Sequence, residues 1–305
     1  MAVESYEIFA GGDELPEGCI ANALSLTSPK DACRLSVVAS TFRSAAESDA
    51  VWERFLPPDY GDIISRSIDG LDLLAVGSKK ELYLHLCDHP ILIDGGSKSF
   101  SLEKWSGKTC YMLAARSLKI VWADTPRYWR WISLPESRFS EVAELLDVCW
   151  FDLSGKINTN MLSADTRYGA YLVFMTKSRT YGFGNQAAES SVGINGHERE
   201  THTVYLDPQG QGGRRHRYQV VPRRLGIFTH HMAHILRHEV DTPYESEGRY
   251  PKQRSDGWME IELGEFFVKR GQDAELEMSL TELKGGNWKS GLIVEGIDIR
   301  PKEGK

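Results

Sequence analysis

Several absences narrow the class of this chain before any motif is read. No apolar run reaches the ~18 residues that a membrane-crossing helix needs, so no membrane partner is expected. The opening "MAVESYEIFAGGDELPEG" has neither a basic n-region nor an apolar h-region, so no secretory leader is expected there. None of the asparagines begins an N-x-[ST] sequon, in keeping with a chain that does not meet the glycosylation machinery. The 5 cysteines (Cys19, Cys33, Cys87, Cys110 and Cys149) include no C-x-x-C pair and sit mostly among apolar neighbours. That is the usage of reduced thiols, and it predicts a reducing compartment, nucleus and cytoplasm. No repeat of solenoid length is present.

Basic charge is scarce in the first third, where residues 1–100 carry 8 Lys and Arg against 16 Asp and Glu. The remainder is nearly balanced, so the formal charge of −7 belongs to the N-terminal part and no nucleic-acid partner is expected. Motifs for metals and cofactors are missing too. His230, His231, His234 and His238 have helical spacing but no H-E-x-x-H and no cysteine partner, so they are read as unliganded. "GFGN" at 182–185 departs from G-x-G-x-x-G at Ala187 and has no Rossmann unit around it. No metal and no cofactor are expected.

What is present falls into two parts. Leu15 to Tyr60 reads as short helices. Pro16 suits a first helical position, and Ile20 and Leu24 lie four apart on one face. "SPKD" offers Ser28 as N-cap, Pro29 at the first turn and Asp31 as a carboxylate reaching back. "TFRSAAE" is a third turn, and "SDAVWERFLPPDY" carries the stripe Val51, Trp52, Phe55 and Leu56 before two prolines end it. A unit this small cannot hide so much apolar surface within itself, so it packs on the rest of the chain or docks on a partner. Residues 61–98 read as a connector containing a helix from Ser78 to Asp88, and "DGGSKS" at 94–99 as a flexible domain boundary.

Beyond residue 105 short β-rich runs alternate with Gly, Pro, Asp and Ser. In "GWMEIELGEFF", Met259, Ile261 and Leu263 face one way and Trp258, Glu260 and Glu262 the other. Leu276, Met278 and Leu280 likewise alternate with Glu275, Glu277 and Ser279. One dry and one wet face per strand predicts antiparallel sheets packed as a sandwich. A helix is expected at "SRFSEVAELLD", 137–147, and the basic, turn-rich segment 207–256 is read as a surface insertion with a short helix near His230 to His238.

The Leu15–Tyr60 stretch, with its "LP" opening, "TSPKDACRLS" and "SDAVWERFLPPDY", closely resembles a plant F-box. The β half resembles the phloem protein 2 lectins, whose type member is the tobacco agglutinin Nictaba. The pieces that carry the likeness are "AARSLKIVWADTPRYWRW", "EVAELLDVCWFDLSGKI", "YGAYLVF", "RSDGWMEIELGEFF", "ELEMSLTEL" and "NWKSGLIVEGIDIRP". The whole is similar to the F-box–Nictaba, or B-type phloem protein 2, proteins. That resemblance implies an F-box domain over 10–60, a connector over 61–98 and a jelly-roll-like lectin domain over 99–305. It also implies a non-catalytic subunit that docks a Skp-type adaptor, and through it a cullin, while the β domain recruits glycoproteins.

For the adaptor, Leu15, Pro16, Ile20, Leu24, Leu35 and Trp52 are the candidate seam, because docking energy concentrates in apolar and aromatic anchors. For the sugar, the resemblance implies N-acetylglucosamine-containing glycans held by Trp122, Trp129, Glu275 and Glu282. Aromatic faces stack on the sugar's C–H surface while carboxylates take its hydroxyls. The residues themselves leave rivals standing. Trp122 shares strand parity with Leu118 and Ile120, which suits a buried side chain. Trp129 and Trp131 alternate with Tyr128 and Arg130, and either could be the exposed pair. Glu275 has the wet parity of its strand and Glu282 does not, so both meet one ligand only if the chain turns near Thr281. A glycosidase with the two glutamates is a weak rival. The rival from another class is a lectin or scaffold that assembles no ligase.

Overall fold

The computed structural model describes residues 15–68, 70, 73, 75, 77–183, 186–194, 199–207, 248–283 and 286–302. The expected histidine helix, and nearly all of the 207–256 insertion, lie outside the described residues.

The helical part begins with α1 (Glu17–Ser25), α2 (Pro29–Leu35), α3 (Ser40–Glu47) and α4 (Asp49–Phe55). Ser28 caps α2 as expected: its hydroxyl oxygen accepts the Asp31 N–H at 3.1 Å, with Pro29 at the first turn. Next come α5 (Tyr60–Ser65) and α6 (Lys79–Asp88), the latter capped by Ser78. Ile20, Leu24, Ala45, Ala46, Val51 and Trp52 are buried between these helices. Trp52 is the hub. Its ring meets Phe55 edge-on at 5.6 Å and Tyr83 of α6 at 5.1 Å, and its indole N–H donates to the Ala46 carbonyl at 2.6 Å.

Two antiparallel sheets make the β half, as the alternating pattern predicts. Among the described residues the larger sheet runs β1 (Ile91–Ile93), β2 (Lys98–Leu102), β3 (Thr109–Ala114), β14 (Ser290–Pro301), β8 (Thr166–Tyr181), β12 (Met259–Val268), β11 (Lys252–Gln253), with β6 (Val142–Leu145) and β5 (Trp129–Ile132) attached beside β14. The smaller sheet runs β10 (Glu200–Tyr205), β9 (Ala187–Ile194), β13 (Glu275–Glu282), β7 (Phe151–Asn158), β4 (Lys119–Ile120). Inward residues of both sheets, among them Leu153, Ile157, Leu276, Met278, Leu280, Leu172, Ile261 and Ile297, meet in a dry core.

Two expectations are corrected. Residues 137–147 form no helix: Val142–Leu145 is strand β6, paired with β5 and β14. All four of its residues are buried, so the two-residue alternation that marks a half-wet strand is missing, and the apolar spacing imitated a helix. The "DGGSKS" stretch is no linker. It is the turn of the β1–β2 hairpin, where Ile91 pairs with Phe100 and Ile93 with Lys98, and Gly95 and Gly96 turn the chain at φ +67° and +84°. A lectin domain beginning at residue 99 would cut this hairpin in half.

The helical unit is joined to the sandwich by contact. The Tyr83 hydroxyl donates to the Lys104 carbonyl at 3.0 Å, the Lys30 N–H reaches the Trp105 carbonyl at 3.4 Å, and Lys104 pairs with Asp88 at 2.9 Å. Gly107, in the β2–β3 turn, sits so close to α4 that a Cβ there would lie 2.9 Å from the Phe55 carbonyl oxygen. One hydrophobic cluster extends from Ile20 through Trp52 and Tyr83 to the sandwich core.

Candidate functional site

Two surfaces carry the chemistry the sequence points to. On the helical unit, four of the large apolar side chains left in water lie on α1, α2 and the turns beside them, Leu15 at 67% exposure, Leu26 at 66%, Val37 at 76% and Val38 at 67%; Ile68, after α5, is a further one. Isolated exposed apolar residues are ordinary, but four of them within one two-helix segment make it the candidate docking face. Of the six candidate seam residues, Leu15 and Pro16 are exposed and Leu35 is half-buried. Ile20, Leu24 and Trp52 are interior, at 6%, 1% and 1% exposure, because they form the helical unit's own core. Leu26, Val37 and Val38 were passed over in the sequence because they fall at helix ends, off the periodic stripe.

On the sandwich, the two candidate glutamates do not converge. Strand β13 runs unbroken for 8 residues from Glu275 to Glu282, paired with β7 throughout. At ~3.3 Å per residue its ends lie about 23 Å apart, and no bulge near Thr281 brings them together. Glu275 is exposed on the outer face and paired with Lys156 at 2.6 Å. Glu282 is 3% exposed and forms a buried ion pair with Lys289, itself 0% exposed. Its other oxygen accepts the Gln186 amide N–H at 3.0 Å. The Lys289 ammonium also donates to the carbonyls of Cys149, at 2.9 Å, and Asn287, at 2.8 Å. So many partners offset the desolvation of two buried charges.

Trp129 is 2% exposed, and its indole N–H donates to the Val121 carbonyl at 3.1 Å. Trp131 is half-buried, with the Arg116 guanidinium 3.8 Å above its ring. Trp122 escapes burial. Strand β4 stops at Ile120, and Trp122 takes φ +60°, a conformation costing about 1–3 kcal/mol for a bulky residue, which leaves the side chain 36% exposed. Its ring lies 5.2 Å from Tyr128 and stacks 5.6 Å from Trp150, which is 51% exposed. Trp150 was missed in the sequence; the available signal was its place in "VCWFD", one residue before β7 begins.

Asp152, the second residue of β7, adds a carboxylate beside this aromatic run. Its carbonyl accepts the Val121 N–H at 3.0 Å, so its backbone abuts the Trp122 turn. Burial lifts its carboxyl above the ordinary range, offset in part by Lys119. The arrangement offers flat apolar faces and a hydrogen-bond acceptor, which suits the binding of a ring with both C–H and hydroxyl surface.

Comparison with known proteins agrees with this division. The F-box domain profile matches residues 13–54 and the phloem protein 2 profile matches residues 108–301. Similar proteins of Arabidopsis thaliana include F-box protein At2g02240, 46% identical over 95% of this chain and 80% of that protein. F-box protein PP2-B10 is 45% identical over 95% of this chain and 93% of its own length, and F-box protein PP2-B1 is 42% identical over 95% and 90%.

Proposed function

This chain belongs to the PP2-B family of F-box proteins, non-catalytic adaptor subunits that carry a phloem protein 2 domain, and on that premise we propose that it presents glycosylated proteins to a Skp–cullin ubiquitin ligase. The α1–α2 face docks the Skp-type adaptor. The Trp122 end of the smaller sheet takes N-acetylglucosamine-containing glycans on the target. Ubiquitin transfer is carried out by other subunits in the nucleus and cytoplasm. Among the described residues no helix is long and apolar enough to cross a membrane.

The observation that carries the reading is the exposure of Leu26, Val37 and Val38 above a helical core that is already complete without them. Among the described residues those side chains are left mostly in water, so a partner's apolar surface is what gives their placement a free-energy return. The test is co-purification of the full chain with a Skp adaptor, beside the double variant Val37→Asp/Val38→Asp. Capture by the unchanged chain, and its loss in a variant that melts at the same temperature, is expected. Equal capture by both would refute the assignment of this face, and no capture at all would refute ligase assembly. For the sandwich, a glycan array probed with the full chain should show signal for N-acetylglucosamine oligomers that falls in Trp122→Ala. Absence of any glycan signal refutes that arm alone.

A further inference from the structure

Resting on the reading of the sandwich as a glycan receptor, we infer that Trp150 and Trp122 together form the stacking platform for a pyranose ring, that Asp152 accepts hydrogen bonds from its hydroxyls, and that Trp129 and the Glu282–Lys289 pair are positioning residues behind them. Two of the four side chains expected to touch sugar cannot do so. Trp129 and Glu282 are 2% and 3% exposed, sealed from any ligand that approaches from solvent. Each nevertheless ends, through hydrogen bonds, at the backbone beside an exposed tryptophan.

The first chain of contacts is short. The Trp129 indole N–H holds the Val121 carbonyl at 3.1 Å, and Val121 is the residue before Trp122. The Val121 N–H is tied to Asp152 on the other side, and the Trp122 carbonyl accepts the Thr125 N–H at 3.0 Å. A left-handed tryptophan persists only where its surroundings over-determine it, and these three bonds do so. In the second chain, Glu282 neutralises the Lys289 ammonium, which donates to the Cys149 carbonyl at 2.9 Å. Cys149 precedes Trp150, and the Val148–Lys289 bridge, with N–H to carbonyl distances of 2.9 and 2.7 Å, closes the loop. Both tryptophans are thus anchored from inside and open outside.

Asp152 completes the grip. Its side chain is half-buried and alternates with Phe151, which points into the core. Among the described residues no hydrogen bond or ion pair satisfies its carboxylate, although burial has removed part of its hydration. Hydroxyl donors on a ring stacked against Trp150 would supply what it lacks. Lys119 lies near enough to influence Asp152 and offers a cation at the same edge.

The test is calorimetric titration of the full chain with N,N′,N″-triacetylchitotriose, together with the circular-dichroism exciton couplet that a stacked Trp122–Trp150 pair gives in the absence of sugar. Trp150→Ala is expected to lose the couplet and weaken binding about tenfold or more, Trp150→Phe to keep affinity within roughly threefold, and Asp152→Asn to weaken binding with the couplet intact. Glu282→Gln and Trp129→Phe should weaken the couplet and the affinity together in a folded protein. Affinity lost with the couplet unchanged in Glu282→Gln would show that Glu282 meets the ligand, and would overturn its role as a prop. Equal binding by Trp150→Ala and the unchanged chain would overturn the platform while leaving glycan binding in place. No heat from the unchanged chain and no signal on the array would sink both.

Discussion

Gly107 offers a sharp test of whether the helical unit and the sandwich form one body. It lies in the β2–β3 turn at φ +70°, and its N–H donates to the Glu103 carbonyl at 2.8 Å. A Cβ added here would meet the Phe55 carbonyl oxygen at 2.9 Å and the Tyr83 ring at 3.5 Å. Gly95, in the β1–β2 turn, has nearly the same φ, +67°, but nothing within 4 Å of the corresponding Cβ. Alanine at either position pays the left-handed penalty of about 1–2 kcal/mol. Only Gly107→Ala must also displace the last carbonyl of α4, a backbone atom that cannot rotate away, and overpacking of that kind costs a further ~1–3 kcal/mol. Gly95→Ala should therefore cost about 1–2 kcal/mol and Gly107→Ala about 2–5 kcal/mol. Urea unfolding of the full chain, followed by tryptophan fluorescence and far-ultraviolet dichroism, measures both. The Gly107 variant should also separate the two probes, because the loosened joint lets the helices melt before the strands. Equal midpoint shifts in the two variants would refute the claim that the turn is wedged against α4.

Other outcomes follow from the same contacts. Trp52→Ala removes a ring buried against Phe55 and Tyr83 and should cost about 3–5 kcal/mol, read by urea unfolding; a loss below about 1 kcal/mol would mean that Trp52 is not the hub of the helical core. Burial pushes the Cys87 thiol up to about 12 and the Cys110 thiol higher still, whereas Cys19 and Cys33 are exposed. Alkylation at pH about 8, followed by peptide mass, should label Cys19 and Cys33 first; labelling of Cys87 at the rate of Cys33 would contradict its burial. Burial also holds the Glu295 carboxyl above the ordinary 4.5, against the Arg138 N–H at 3.0 Å and the Ser137 hydroxyl at 3.1 Å. A carboxyl raised on folding favours the native state below its ordinary value, and that favour is lost as pH rises through the raised one. Relative to Glu295→Gln, the unchanged chain should lose stability as pH climbs from 4.5 towards neutrality; a relative gain would reverse the sign of the argument.

Much of this architecture was legible in the sequence because the local signals agreed with the global fold. Ser28–Pro29–Asp31 marked the start of α2, Ser78 the start of α6, and the alternation in β13 named both of its faces. The failures have physical causes. Strand β6 is buried on both sides, so it has no period of two to reveal it. "DGGSKS" has the composition of a linker because a tight hairpin turn and a flexible linker both call for glycine. The site was half legible. Strand parity correctly placed Glu275 in water and Glu282 in the core, but it assigned Trp122 to the interior. Parity holds only while the strand continues, and β4 ends at Ile120, two residues before the left-handed turn that sends Trp122 outward. Trp150 carried only the weak mark of its place just before β7, since its stacking partner comes from a different turn.

The joint matters for function as much as for stability. A receptor on a loose tether would present its cargo over a wide range of positions, diluting the chance that a target lysine meets the transferring enzyme. Here α6 is packed against both sides: the Tyr83 ring packs at a tilt against Trp52 within the helices, and its hydroxyl donates to the Lys104 carbonyl of the β2–β3 turn. Arg66 reaches Asp94 at 3.3 Å on the far side of the same seam, and Ser67 bridges to Ile93 of β1. Continuity of the apolar cluster through these contacts means that neither half can rotate without opening buried surface. The α1–α2 segment proposed for the adaptor and the aromatic run at the end of the smaller sheet are therefore fixed relative to each other by the fold. On the proposed function, residues such as Tyr83 and Gly107 would set the placement of a bound target without touching adaptor or sugar.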